Sequence, residues 1–258
     1  MTLELFSLEG RTALVTGGNG GLGWAMALGF RAAGAQVAMT GRNPEKNAMA
    51  IEELGDPKAV LPLDVRDEAA VARAVTQVVE HYGRLDILVN NAGDTRAQAV
   101  TEFSREDWDE ILETHLTGSF QCAKHTAKAM IARGEGGKII NIGSMFSIFG
   151  SPRNVSYAAA KTGILGLTRA LAVELSAHNI QVNAILPGWH DTAITRRSIL
   201  GSPRGEEIRR KTPAGRWGTP EDLVGTAVYL ASAASNFVTG ACIPVDGGYS
   251  VTERLLYN

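Results

Sequence analysis

Residues 157–161 read Tyr-Ala-Ala-Ala-Lys, a phenol and an ammonium separated only by methyl groups. Alanine is the strongest helix former, so the stretch predicts helix. Positions i and i+4 share a helix face, so Tyr157 and Lys161 can act together on one ligand. The plainer reading is a surface helix on which the two side chains happen to align. A second chemistry-bearing stretch is "TGGNGGLG" at 16–23. Its glycines permit positive φ and bring backbone N–H groups close to a ligand, and the helix that follows offers partial positive charge at its N-terminus. Together these suit a pyrophosphate, although a glycine-rich turn can also serve only to pack a helix close to a sheet. About 20 residues beyond such glycines, a carboxylate usually meets the ribose 2′-hydroxyl. The second strand ends instead in "MTGRN", with Arg42 at the loop start. A guanidinium can clasp a 2′-phosphate bidentately, so Arg42, if it is not simply solvated, points to NADP(H) rather than NAD(H).

The elements that must position these groups alternate along the chain. Apolar runs "TALVT", "AQVAMT", "AVLPLDV", "LDILVNNAG", "GKIINIGS", "IQVNAIL" and "GACIPVDGG" predict strands, with helical patterns between them. Pro44 stands where a helix start tolerates a missing N–H, Gly83 where a helix stops, and Ser104 with Asp107 forms a capping-box pattern. Long helices are expected at about 105–133 and about 154–178, the second carrying Tyr157 and Lys161. Continuous apolar strands alternating with helices predict an α/β fold, a Rossmann-type doubly wound parallel sheet, as a single domain over 1–258. Only about 188–218 lacks periodicity, and it is expected to be an irregular substrate loop.

Composition narrows the function class. The 258 residues are 45% hydrophobic and 20% charged, with a formal net charge of −2. No one-sided basic face suggests nucleic acid or an anionic membrane as a partner. Cys122 and Cys242 fit no metal spacing and imply no disulfide framework, so a reducing compartment is the default. With no signal-like start and no apolar run of about 18 residues, a cytoplasmic location is expected.

In this order and spacing, "TGGNGGLG", "LDV", "DILVNNAG", "NIGS", "YAAAK", "PGWHDT" and "VDGG" resemble the short-chain dehydrogenase/reductase family over nearly the whole chain. The resemblance implies that Gly17, Gly21 and Gly23 shape the pyrophosphate turn, with Asn19 and Leu22 touching the cofactor nearby. It implies that Asp64 and Val65 flank the adenine, and that Asn91, Ala92 and Gly93 line the ribose. It brings Pro187, Gly188, His190 and Thr192 to the nicotinamide, His190 chiefly through its backbone. Tyr157 becomes the general acid/base, Lys161 its neighbour on the nicotinamide ribose, and Ser144, thirteen residues earlier, the group that orients the substrate oxygen. Ser144 could still be a strand-end cap and nothing more, but thirteen residues before Tyr157 is the family spacing. A free tyrosine titrates near 10, and a nearby ammonium and the cofactor's positive charge are expected to favour phenolate; reaching about 7 takes roughly 4 kcal/mol. The family also suggests a homotetramer built partly from the two long helices.

"TGRNPEK", "EFSREDWDEIL" and "KTPAGRWGTPEDLVGTAVYLAS" are most similar to the gluconate 5-dehydrogenase and 2-dehydro-3-deoxygluconate 5-dehydrogenase group, implying a sugar acid or polyol as the small-molecule substrate. Two departures stand out. Gly20 occupies the place where NADP-using relatives often carry a second basic residue, and His115 replaces an asparagine that helps anchor a water joining Lys161 to solvent. A neutral His115 can hold a water through one donor and one acceptor nitrogen, or it can simply pack. Arg196, Arg197, Arg204, Arg209, Arg210 and Lys211 could meet a substrate carboxylate, serve an acidic acyl carrier protein as in a 3-oxoacyl-[acyl-carrier-protein] reductase, or lie solvated. A cofactor-binding sensor without turnover is the non-enzyme alternative.

Overall fold

A computed structural model describes residues 4–253; the extreme ends of the 1–258 span lie outside the described residues. Seven parallel strands form one sheet in the order β3-β2-β1-β4-β5-β6-β7. The strands are β1 (Thr12–Val15), β2 (Gln36–Gly41), β3 (Val60–Pro62), β4 (Ile87–Asn90), β5 (Gly137–Ile142), β6 (Ile180–Pro187) and β7 (Cys242–Val245). β1 pairs with both β2 and β4, with Val15 opposite Met39 on one side and Val89 on the other. The chain therefore reverses its direction of winding between β1 and β4, which opens a crevice beyond the strand ends there.

Because side chains alternate across a strand, the continuous apolar runs feed two cores. Ala13 and Val15 face helices α1 (Gly21–Ala32), α2 (Pro44–Leu54) and α9 (Val224–Ala231), through Met26, Phe30, Ala50 and Leu230. Leu14 and Leu88 face α3 (Glu68–Tyr82), α5 (Gly118–Arg133) and α6 (Val155–Leu175). On α3 the spacing Val71, Val75, Val78 makes the buried stripe; each valine withdrawn from water contributes about 1.5 kcal/mol or more. Asp67 caps the start of α3 by accepting from the Ala70 N–H, and Gly83 closes its end at φ 77°, as the sequence predicts. Ser104 likewise accepts from the Asp107 N–H, while the Asp107 carboxylate pairs with Arg96 instead of returning to the cap.

Two expectations are corrected. The helix expected at about 105–133 is two helices, α4 (Arg105–Leu112) and α5, joined by a π-helical turn at Glu113–Thr117 whose centre is His115. The segment 188–218 is not irregular throughout: it folds into α7 (Ala193–Ser198) and α8 (Pro203–Lys211), pinned by a bridge between His190 and Gly218. Thr192 and Ser202 cap these helices, but α8 buries only Gly205 and Ile208, too few positions to give an apolar period.

At the N-terminal ends of the strands a single buried carboxylate organises the chain. Asp86, 2% exposed, meets Arg84 at 2.7 Å, Arg133 at 3.0 Å and Arg11 at 3.1 Å. It also accepts from the Thr12 N–H at 2.9 Å. Burial opposes its charge, yet these donors together hold its carboxyl below the usual carboxylate range.

Candidate active site

A cavity of about 690 Å³ runs along the C-terminal strand ends. One end is the loop between β1 and α1. Gly17 there has φ +62°, and a Cβ would lie 2.9 Å from the Ala92 Cα, so only glycine lets the two loops meet. Asn91 ties them, donating to the carbonyls of Thr16 and Gly17 at 3.0 Å each. Asn19 donates to Asn47, which in turn holds the Gly41 carbonyl, fixing the loop to the end of β2.

The neighbouring wall carries the charges that would select a phosphate. The exposed Arg42 guanidinium lies 3.9 Å from Asp64, whose carboxylate is mainly engaged by Arg66 at 2.6 Å. That bond, more than any other contact, keeps Asp64 below the usual carboxylate range. Lys46, in the first turn of α2, also lines the cavity. Its Nζ is 3.8 Å from where a Cβ on Gly20 would sit. The ammonium therefore covers the place where the sequence lacks a second basic residue.

The opposite end is made of side chains. β5 delivers Ser144 two residues beyond its last residue, and α6 presents Tyr157 and Lys161 on one face. Ser144 caps the following turn by accepting from the Phe146 N–H at 3.2 Å, and its hydroxyl is near enough to the Tyr157 phenol to oppose the effect of burial there. The cap reading of Ser144 is thus observed, and its place on the cavity wall leaves the hydroxyl beside Tyr157. Lys161 is 4% exposed and donates to the Ile142 carbonyl at 2.7 Å. Its Nζ stands 5.6 Å from the Tyr157 ring centre.

The expected lowering of the tyrosine is not what the pocket does. Burial pushes the Tyr157 phenol up, opposed by the Ser144 hydroxyl, and burial brings the Lys161 ammonium down to about 7. Desolvation penalises both charged forms, so the phenol is held protonated while the Lys161 ammonium is brought close to neutral pH.

His115 packs edge-on to Tyr157 with ring centres 5.1 Å apart. Its Nε2 lies 2.6 Å from the Asp94 carbonyl, which can only accept, so Nε2 carries the proton. Nδ1 is then a buried acceptor without a protein partner. Burial first, and the Lys161 charge second, lower this imidazole to about 3, so it is neutral at working pH. The ring also fills the space beside Gly93, where any methyl group would overlap it.

Similarity to known proteins follows the same geometry. The family described as enoyl-(acyl carrier protein) reductase matches residues 17–250. The 2-dehydro-3-deoxy-D-gluconate 5-dehydrogenase of Escherichia coli K12 is 44% identical over 250 residues, covering 96% of this chain and 99% of its own. Gluconate 5-dehydrogenase of Gluconobacter oxydans is 40% identical over 252 residues, with 96% and 98% covered. The crystal structure of a gluconate 5-dehydrogenase from Burkholderia cenocepacia in complex with NADP and tartrate superposes with a TM-score of 0.92 at 38% identity, covering 98% of this chain and all of that one. The chain belongs to the short-chain dehydrogenase/reductase family. It is accordingly an oxidoreductase of CH–OH groups.

All residues nominated from the sequence for catalysis or cofactor binding lie on the cavity wall except two. Gly23 sits beneath the loop, where a Cβ would strike Asn91 and Gly17. His190 is buried behind the wall, its Nδ1 on the Gly188 carbonyl and its own carbonyl taken by the Thr195 hydroxyl. Among the lining residues that were not assigned a role from the sequence are Lys46, Phe146, Trp189 and Asn154. The aromatic within "PGWHDT" and the one two places after Ser144 were the available signals.

Proposed function

We propose that this chain interconverts a secondary alcohol and a ketone on a sugar acid, using NADP(H) in preference to NAD(H). The observation that carries the reading is the convergence of Ser144, Tyr157 and buried Lys161 on the wall of one cavity, whose other end is a glycine loop flanked by two cations. The fit to a dinucleotide rests on the Gly17–Ala92 close approach and on Arg42 and Lys46, which would hold a 2′-phosphate. Bound there, the dinucleotide supplies the hydride acceptor or donor.

The chain's own groups handle the proton. Ser144 holds the substrate oxygen; in reduction the Tyr157 phenol donates to it, and in oxidation the phenolate receives the hydroxyl proton. Lys161 spends one of its three N–H groups on Ile142 and keeps the others for a ribose hydroxyl and a water. His115 is a positioning residue: its unpartnered Nδ1 is suited to accept from that water, completing a path from Tyr157 through Lys161. His115→Asn should keep most activity, whereas His115→Leu should lose about tenfold or more with little change in cofactor affinity. Equal activity of wild type and His115→Leu across pH 6 to 9 would leave the ring a packing role only.

The deciding experiment is a panel of gluconate, related keto acids, simple polyols and an acetoacetyl thioester with both cofactors. Sugar acids or their keto forms should lead. A thioester preferred tenfold would favour the acyl-carrier reductase reading, and no turnover on any of them the sensor reading. The assembly we propose is a homotetramer through α4–α5 and α6, supported by exposed Phe120, Ile131, Val155 and Val173 on those helices; light scattering tests it. A cytoplasmic site is our reading from the two free cysteines, and among the described residues no helix is long and apolar enough to cross a membrane.

A further inference from the structure

The six cations of 196–211 do not share one fate. Arg196 is clamped by Asp191 at 2.5 and 3.1 Å, and Arg209 by Glu206 at 2.8 and 2.6 Å. Arg197 donates to the Ala193 carbonyl, and Lys211 lies over the Tyr249 ring at 4.1 Å. Arg210 is not on the cavity wall. Arg204 alone of the six lines the cavity, and it makes no ion pair with a described residue. Its guanidinium carbon stands 5.9 Å from the centre of the Trp189 ring.

Trp189 connects this cation to the reacting end. The Trp189 ring meets Phe146 edge-on at 5.8 Å, and Phe146 meets Tyr157 edge-on at 6.0 Å. An aromatic wall therefore runs from the acid/base to Arg204. Beside it, buried Asn154 commits its amide N–H groups to Ser151 and Pro152 and has no protein partner for its carbonyl oxygen.

We infer that Arg204 is the specificity residue that receives the substrate carboxylate, with Asn154 accepting a hydroxyl from the chain between carboxylate and reacting carbon. A guanidinium over an aromatic face keeps its in-plane N–H donors free, and that planar fork matches a carboxylate bidentately. Lys161 cannot do this, because it is buried beside Tyr157 and already bonded to Ile142. The inference rests on the sugar-acid reading above and names which end of the acid goes where. The reacting alcohol sits at Tyr157, and the carboxylate points out of the cavity toward α8.

The test compares D-gluconate with its neutral amide, D-gluconamide, in wild type, Arg204→Gln and Arg204→Lys, all with NADP. Wild type should prefer gluconate through KM. Arg204→Gln should reduce the gluconate-to-gluconamide ratio of kcat/KM about tenfold or more, the usual weight of a charge-assisted hydrogen bond, and Arg204→Lys should recover part of it. Calorimetric titration of gluconate into each variant saturated with NADPH reads the same contact without turnover. An unchanged ratio in Arg204→Gln overturns the inference, and so does an equal loss on both substrates, which would mean that Arg204 only orders α8. If wild type binds gluconate in an Arg204-dependent way yet turns over neither form, the proposed reaction falls and the carboxylate site stands. Arg204-independent binding without turnover overturns both.

Discussion

The two ends of the sheet treat buried charge in opposite ways. At the N-terminal strand ends, Asp86 is surrounded by three guanidiniums and a backbone N–H, so its charge is met from several sides. At the C-terminal ends, Lys161 has a single carbonyl, and His115 an acceptor nitrogen with nothing on it among the described residues. A buried polar group without a partner costs about 1–3 kcal/mol. The end that leaves such groups open is suited to a ligand, whereas Asp86 at the other end ties Thr12 of β1 to Arg133 of α5.

Substitutions can break this contrast, beginning with the largest effect. Tyr157→Phe should lower kcat by about 10²–10⁴-fold, the range for a lost general acid/base, while NADPH affinity measured by fluorescence titration stays within about threefold, because one oxygen and little packing are removed. Asp86→Asn should do the reverse. Denaturant unfolding should show a loss of about 2–4 kcal/mol, less than for a fully buried pair because Arg11 and Arg84 keep solvent. Its kcat/KM at low temperature should be unchanged; a catalytic defect without a stability defect would erase the division between the ends.

The next effect sharpens the open end itself. Arg42→Ala should reduce the NADP-over-NAD ratio of kcat/KM by about tenfold or more, the effect of losing about 1.5–3 kcal/mol. Lys46→Ala should shift it the same way but less, since a lysine is a mobile point charge. An unchanged ratio in both variants would remove the 2′-phosphate assignment.

The smallest effect appears only in acid. His115 takes up its proton near 6.5 when unfolded but near 3 when folded. Between those values the unfolded state binds more protons, so stability falls as pH falls below about 6.5. At pH 5 the loss amounts to about 2 kcal/mol relative to neutral pH. His115→Asn should flatten that acid limb in unfolding experiments and leave stability near pH 7.5 governed by packing alone. An acid limb as steep in the variant as in wild type would mean that the ring is protonated in the fold.

Much of this was legible because it is written in backbone and period. The glycine loop, the seven strand segments and α6 follow from local residue types, since glycine conformation, apolar runs and helical spacing are short-range properties. Gly17, Asn91, Ser144, Tyr157 and Lys161 therefore arrive where the motifs imply. The substrate end was less legible because it is assembled from side chains distant in sequence. Phe146, Trp189 and Arg204 meet only after β5, β6 and α8 have packed, and α8 has no apolar stripe to announce it. The direction of the Tyr157 shift was missed for a related reason: spacing reveals a neighbouring cation, but burial, which dominates here, is a property of the finished fold. His190 shows the converse, a motif position whose side chain turns inward onto Gly188.

The π turn at Glu113–Thr117 has a consequence for insertions and deletions. One residue more than an α-helix needs rotates everything on one side by about 100° relative to the other. α5 is thereby free to bury Cys122, Ala123, Ala127 and Met130 beneath the sheet, while α4 meets α6 in its own phase. Removing a single residue there would restore a regular helix and force one partner to give up its face. The extra residue thus acts as a phase shifter between two packing surfaces, with the imidazole that touches Tyr157 at its pivot.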